Sequence, residues 1–165
     1  MQRYPLSKRD RRELVESIGP PYEDLRRIIK EARVVEYMRD RKKGIEGYII
    51  DGILALVVKD DVIVPTIRLI KHKDLVWPYE VYVDRGATRR ILNGADVMVP
   101  GITEVRGEFD KGAIVLVRDE ESRAVLAVGL ALMSSDEMKV SKKGRAVKNL
   151  HYVGDKIWRC STTPI

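Results

Sequence analysis

The sequence predicts an α+β fold in two modules, an N-terminal α+β module followed by a C-terminal barrel of short strands. Three observations carry that reading. Apolar residues recur at helical spacing over the first 31 residues, and short β-branched runs dominate from Ala32 onward. A linker marked by Pro78 divides the chain. A length of 165 residues suits one large domain or two small ones, and 44% hydrophobic residues is enough for a packed core.

Residues 7–18 predict a short helix, with Ser7 as N-cap and Leu14, Val15 and Ile18 on one apolar edge. Gly19-Pro20-Pro21 ends it. Residues 22–31 predict a second amphipathic helix, with Leu25, Ile28 and Ile29 inward and Arg26, Arg27 and Lys30 outward. Glu23 and Asp24 at its start suit the helix dipole. Strand character begins at Val34-Val35, and Arg39 to Gly44 predicts a charged loop. The runs 45–50 and 53–58 flank Asp51-Gly52, a strong two-residue hairpin signal, and Lys59-Asp60-Asp61 turns the chain into Val62-Ile63-Val64. Residues 73–80 predict the linker.

Beyond the linker, strands are expected at 81–83, 97–99, 113–117, 124–131 and 149–153, spaced as in a small β-barrel. One helix is expected at 86–93, capped by Asp84 and stopped by Asn93-Gly94. The predicted domains are 1–77 and 78–158, with 159–165 as a C-terminal tail.

Charge narrows the function classes. The net charge is +6, and residues 1–43 hold 13 Lys/Arg against 8 Asp/Glu, whereas residues 74–165 hold 14 against 13. The basic excess of the first module favours a polyanion there. Charged residues reach 34%, a density that suits a protein working at high temperature. One cysteine, Cys160, excludes an internal disulfide, and with only His72 and His151 besides, metal-ligand spacing is absent. No metal or cofactor is expected. No apolar run approaches the roughly 18–20 residues that span a bilayer. Arg3, Lys8, Arg9, Arg11 and Arg12 interrupt any signal-peptide core, so a cytoplasmic location is expected.

The segment from Val83 through Asp84-Arg85-Gly86-Ala87, Asn93-Gly94-Ala95-Asp96 and Val99-Pro100-Gly101-Ile102 resembles the signature of the PUA domain. That domain is named after pseudouridine synthases and archaeosine transglycosylases. The resemblance implies a pseudo-β-barrel that binds structured RNA along this helix and the strand after it. Further motifs, Pro65 to Ile70, Met133 to Met138 and Asn149-Leu150-His151-Tyr152, are similar to those of the malignant-T-cell-amplified-sequence family, which shares the arrangement of the N-terminal part of ligatin. An archaeal member is expected. The resemblance implies binding to transfer RNA and the small ribosomal subunit in initiation, reinitiation or recycling, with a density-regulated-protein-like partner.

The candidate RNA-binding residues follow. Gly86 and Ala87 open the predicted helix and leave room for ribose-phosphate, although Asp84 also reads as the cap of its own helix. Gly94 and Ala95 are the small residues of the following turn. Arg89 and Arg90 are placed to face solvent, where arginine grips phosphate with two parallel bonds. Lys139, Lys142, Lys143, Arg145 and Lys148 put five cations within ten residues and no acid, while acids gather at Asp119-Glu120-Glu121. A flexible basic loop is the alternative reading of that run. Tyr152 is a candidate for stacking on a base; His151 alternates with it, so one of the two faces inward. Trp77, Tyr79 and Trp158 suit interdomain or core packing. Arg39, Arg41, Lys42 and Lys43 form a second basic patch, suited to ribosomal RNA or simply to solvent.

Three function classes remain. An RNA-binding protein of translation fits the charge and the resemblance. An RNA-recognition subunit or relic of an RNA-modifying enzyme fits the domain type, but the other ~75 residues are too few for such catalytic domains. Gly44-x-x-Gly47 lacks the lysine of a P-loop, and Cys160 has no nearby acid–base partner in sequence, so no catalytic constellation is expected. A protein-interaction scaffold is the third.

Overall fold

Two tight turns set the register of the first sheet. The computed structural model describes residues 1–162. In it Asp51 and Gly52 both adopt positive φ (48° and 86°), as do Asp60 and Asp61 (51° and 62°). Two-residue turns of that hand match the right-handed twist of the strands they join. The resulting sheet contains β1 (Gln2–Pro5), β2 (Val35–Asp40), β3 (Ile45–Ile50), β4 (Ile53–Lys59) and β5 (Val62–Pro65), antiparallel in the order β1-β2-β3-β4-β5. The helices α1 (Lys8–Ser17) and α2 (Glu23–Glu31) form where their apolar periodicity predicts, and the Ser7 hydroxyl accepts the Asp10 N–H at 3.0 Å. Leu14, Val15, Leu25, Ile28 and Ile29 are buried.

The helix α3 (Ile67–His72) packs on β4 together with α6 (Lys156–Thr162). Thr66 connects α3 to the sheet: its hydroxyl accepts the Leu69 N–H at 3.2 Å and donates to the Leu54 carbonyl at 2.7 Å, fully buried. One compact unit is thus Met1–Val76 joined by the segment from Lys156 onward; Trp77–Asp155 form the other.

Three features depart from the expectations for this unit. Arg39 and Asp40 belong to β2, where Arg39 stands opposite Gln2 and Glu46, so the charged loop starts only at Arg41. The edge strand β1 supplies the partner that extends β2, and four residues ending in proline carry too little pattern to announce it. Lys156–Thr162 are helical, whereas the sequence reading placed a domain end at 158 and a tail from 159.

The second unit is a curled, half-barrel-like sheet of six strands in the order β7-β11-β10-β9-β6-β8. Its strands are β6 (Glu80–Val83), β7 (Val97–Met98), β8 (Ile102–Arg106), β9 (Ile114–Asp119), β10 (Val125–Ala131) and β11 (Arg145–Tyr152). Only the β6–β9 pair is parallel among the described strands. The helices are α4 (Arg85–Ile91) and α5 (Ser135–Val140). Val81, Val83, Val115, Val117, Ala127 and Val147 fill the core, with Phe109 against the Tyr79 ring at 5.3 Å. β8 is an addition to the predicted strands, α5 forms at the Met133 to Met138 motif, and β11 begins at Arg145 instead of 149. A capping box, in which Ser134 and Glu137 satisfy each other's backbone N–H groups, starts α5.

Replacing Thr66 by Val removes the hydroxyl at nearly constant volume and leaves the buried Leu54 carbonyl and Leu69 N–H without it. The expected loss is about 1–3 kcal/mol of stability in urea unfolding monitored on the first unit. An unchanged midpoint contradicts the role assigned to this hydroxyl.

Candidate nucleic-acid interface

The helix α4 is fixed at both ends by different chemistry. At its start the Asp84 carboxylate accepts the Ala87 N–H at 2.8 Å, and the Thr88 hydroxyl donates to Asp119 at 2.6 Å. At its end the Gly94 N–H reaches the Ile91 carbonyl (2.9 Å) and the Ala95 N–H reaches the Arg90 carbonyl (3.0 Å), closing the helix through Gly94 at φ 94°. A side chain at Gly94 would also meet Tyr152, whose hydroxyl lies 3.3 Å from the position of a Cβ.

From that turn the chain enters β7, which pairs with β11 so that Met98 faces Arg145 and Val97 faces Val147. Asp96 bridges the two segments. Its carboxylate accepts the Asn149 N–H at 2.8 Å and the Arg145 guanidinium, the Nε–H at 3.1 Å. Asn149 returns the contact, its Nδ2 donating to the carbonyls of Ile91 (3.1 Å) and Ala95 (3.0 Å). Burial raises the Asp96 pKa, but the Asn149 N–H, the Arg145 bond and the charges of Arg145 and Lys148 outweigh it and hold the carboxyl below its ordinary value.

These bonds bring one subset of the predicted residues together. Gly94, Ala95, Arg145, Lys148 and Tyr152 lie about the α4–β7 turn; exposed Arg89 and Arg90 occupy the last turn of α4, the Arg90 guanidinium turned back toward Gly86, and exposed Lys142 and Lys143 lie one residue ahead of β11, outside these bonds. Gly86 and Ala87 lie at the other end of α4, about 10 Å away along the helix axis. There Arg85 is 3.5 Å from Glu121, and the acidic turn Asp119–Glu121 adjoins through Thr88. Ala87 is buried, its Cβ only 2.7 Å from where a Cβ on Gly101 would stand. Ala87 is taken up by close packing and its N–H by the Asp84 cap. Gly86 is exposed, with the Arg90 side chain reaching back toward it.

His151 is the inward member of its pair, fully buried with Nδ1–H donating to the Asp155 carboxylate (2.9 and 3.1 Å). Tyr152 is half-buried, packed on the core edge and on Gly94. Trp77 is buried and donates to the Ile114 carbonyl at 2.9 Å, within the second unit; Lys71 lies 5.2 Å over the Trp158 ring, within the first.

In the first unit Arg41, Lys42 and Lys43 are exposed in the β2–β3 turn, and Lys156 of α6 approaches the same turn beside Gly44. Sequence reasoning did not single out another cationic feature, a cleft of about 370 Å³ bordered by Lys8, Arg11, Arg12, Arg26 and Lys30 from α1 and α2. Arg11 is spent on the carbonyls of Ile29, Lys30 and Ala32, where it caps the end of α2. The basic excess of residues 1–43 was the available signal; only the packing of two helices shows that these cations share a cleft. Among the described residues no group of three or more His, Cys, Asp or Glu is arranged to hold a metal ion.

The depressed Asp96 pKa has a directional consequence. Its contribution to stability is present above the unfolded value, near pH 4, and disappears as pH falls through the lower folded value. Asp96→Asn is therefore expected to be less stable than the parent near neutrality, with the gap closing below roughly pH 4 in denaturant titrations. A gap constant with pH contradicts the assignment.

Comparison with known proteins agrees with this architecture. The PUA domain pattern matches residues 79–153, and a domain of unknown function (DUF1947) matches residues 2–73. An uncharacterized protein of Methanocaldococcus jannaschii is 39% identical over 158 residues, 95% of each chain. Translation machinery-associated protein 20 of Saccharomyces cerevisiae is 31% identical over 149 residues, covering 86% of this chain and 81% of its own. The crystal structure of a hypothetical protein from Pyrococcus horikoshii superposes with a TM-score of 0.83 at 33% identity, covering 98% of this chain and all of the other. The chain belongs to the family of PUA-domain proteins that includes translation machinery-associated protein 20 and the malignant T-cell-amplified sequence proteins.

Proposed function

We propose that this protein is a non-catalytic RNA-binding protein of the translation apparatus, and that the C-terminal end of α4 with the start of β11 is its RNA-contacting surface. The observation that carries this reading is the placement of Arg145 and Lys148 next to Asp96, beside the small residues Gly94 and Ala95, with exposed Arg89 on the last turn of α4 and exposed Lys142 and Lys143 ahead of β11. Cations attract the phosphates, and small residues let ribose-phosphate approach the backbone. Tyr152, held on Gly94, presents an aromatic edge beside them. Buried Ala87 is left a structural part, while Gly86 stays exposed beside the Arg90 guanidinium.

The proposed ligands are transfer RNA and small-subunit ribosomal RNA, encountered in the cytoplasm during initiation, reinitiation or recycling, with a separate density-regulated-protein-like partner. The relative named for the translation machinery supports that setting. Arg41, Lys42 and Lys43, with Lys156, offer the first unit a second basic surface for ribosomal RNA. Contacts of this kind read shape and backbone more than sequence.

Filter binding of total transfer RNA at graded salt tests the proposal. Retention with a steep salt slope is expected. Lys142→Ala with Lys143→Ala, leaving Arg145 on Asp96, should weaken binding and flatten the slope by about 1.4–1.8 units, at roughly 0.7–0.9 per lost phosphate contact. Unchanged affinity in the folded double variant removes this loop from the site. Turnover of a labelled uridine or guanosine would instead favour an RNA-modifying role.

A further inference from the structure

The first unit carries a cleft whose chemistry is opposite to that of the RNA surface. Tyr4, Tyr37 and Tyr48 form one cross-strand row, Tyr4 opposite Tyr37 and Tyr37 opposite Tyr48. Directly opposed residues project to the same face. Their rings are in contact, with centroids 5.2 and 5.8 Å apart. Between this row and α1 lies a cleft of about 420 Å³, whose helix wall includes Asp10, Glu13 and Leu14. Tyr4 is 45% exposed, so a large aromatic surface stays in water at the mouth.

The field there is negative. The Tyr37 hydroxyl donates to Glu46, and that bond, followed by burial and the Glu46 charge, pushes its pKa up to about 12. The Tyr48 phenol is pushed up first by burial and then by Glu46, Tyr4 and Asp10. Arg39 and Arg9 stand near these groups, and neither is among the residues that line the cleft. Arg39 faces Glu46 in the neighbouring row. The Arg9 side chain, 80% exposed, is 3.7 Å from Asp10 and 3.9 Å from Glu13. Exposed pairs of this kind contribute little and give way to a better-held cation.

We propose that this cleft receives a lysine or arginine side chain presented by another protein. The cation would lie against the tyrosine faces, whose quadrupoles attract positive charge, with Asp10 and Glu13 completing its neutralisation. The aliphatic stem of the same side chain would pack on Leu14. A nucleic acid is disfavoured, since phosphate would face two carboxylates. The proposal is independent of the RNA surface on the second unit.

Titration of the full chain with Nα-acetyl-lysine methylamide, followed by NMR of the tyrosine rings, tests it. Saturable shifts at Tyr4, Tyr37 and Tyr48 are expected, absent with the Nε-acetylated form of the same compound. Tyr4→Ala and Glu13→Gln, both at exposed positions, should each weaken binding roughly two- to five-fold without disturbing the rest of the spectrum. No saturable shift, equal shifts with the neutral compound, or unaltered binding in both variants overturns the proposal. Displacement of the probe by transfer RNA would also overturn it, by assigning the cleft to nucleic acid.

Discussion

The Asp96 carboxylate is the constraint on which the second unit's surface depends. It accepts from the Asn149 backbone and from the Arg145 side chain, and so joins the turn after α4 to the strand that carries the later cations. The Asn149 amide closes the same junction from the other side through Ile91 and Ala95. The junction adds charged and amide bonds to the β7–β11 pairing that already sets the turn after α4 beside the strand of Arg145 and Lys148. One partly buried acid thus does what a long apolar contact does elsewhere in the unit, and it does so with charged groups that stay at the surface. Its carboxylate also neutralises Arg145 in part, which leaves the exposed Lys142 and Lys143 as the more available cations.

A nearly neutral domain can present a directed polyanion site if its charges are separated, and α4 is the axis of that separation here. Its first turn adjoins Asp119–Glu121, and the turn that follows it adjoins Arg145 and Lys148 through Asp96. The first unit shows a similar separation on a different scaffold, with a basic cleft bordered by α1 and α2 and an acidic aromatic cleft between α1 and the tyrosine row. The α1 helix lines both, because its sequence alternates cations such as Lys8 and Arg12 with Asp10 and Glu13 around the helix.

Much of the fold was legible in the sequence where local chemistry decides it. Ser7, Asp51-Gly52, Asp60-Asp61 and Asp84 announce their caps and turns because the side chain or backbone that does the work is local. What escaped is set by partners distant in sequence. β1 and β8 are short strands that exist through pairing, α3 is too short for a periodic signal, and Arg39 is drawn into β2 by residues on both flanking strands. The candidate site was legible as a list and not as a shape. Composition identified the cations, but the division of α4 into a basic end and an acid-bordered end depends on the Thr88–Asp119 and Asp96–Arg145 contacts, which span 31 and 49 residues. The inward choice of His151 likewise depends on its bond to Asp155.

The central claim, that RNA meets the second unit at the basic end of α4, is tested most directly by photo-crosslinking the protein to RNA in a cell extract and mapping the attached peptides by mass spectrometry. The account predicts that crosslinks in the second unit fall on peptides covering Arg89–Met98 and Lys142–Tyr152. Crosslinks in that unit confined to the Arg85–Ala87 turn and the Asp119–Ser122 turn would contradict it.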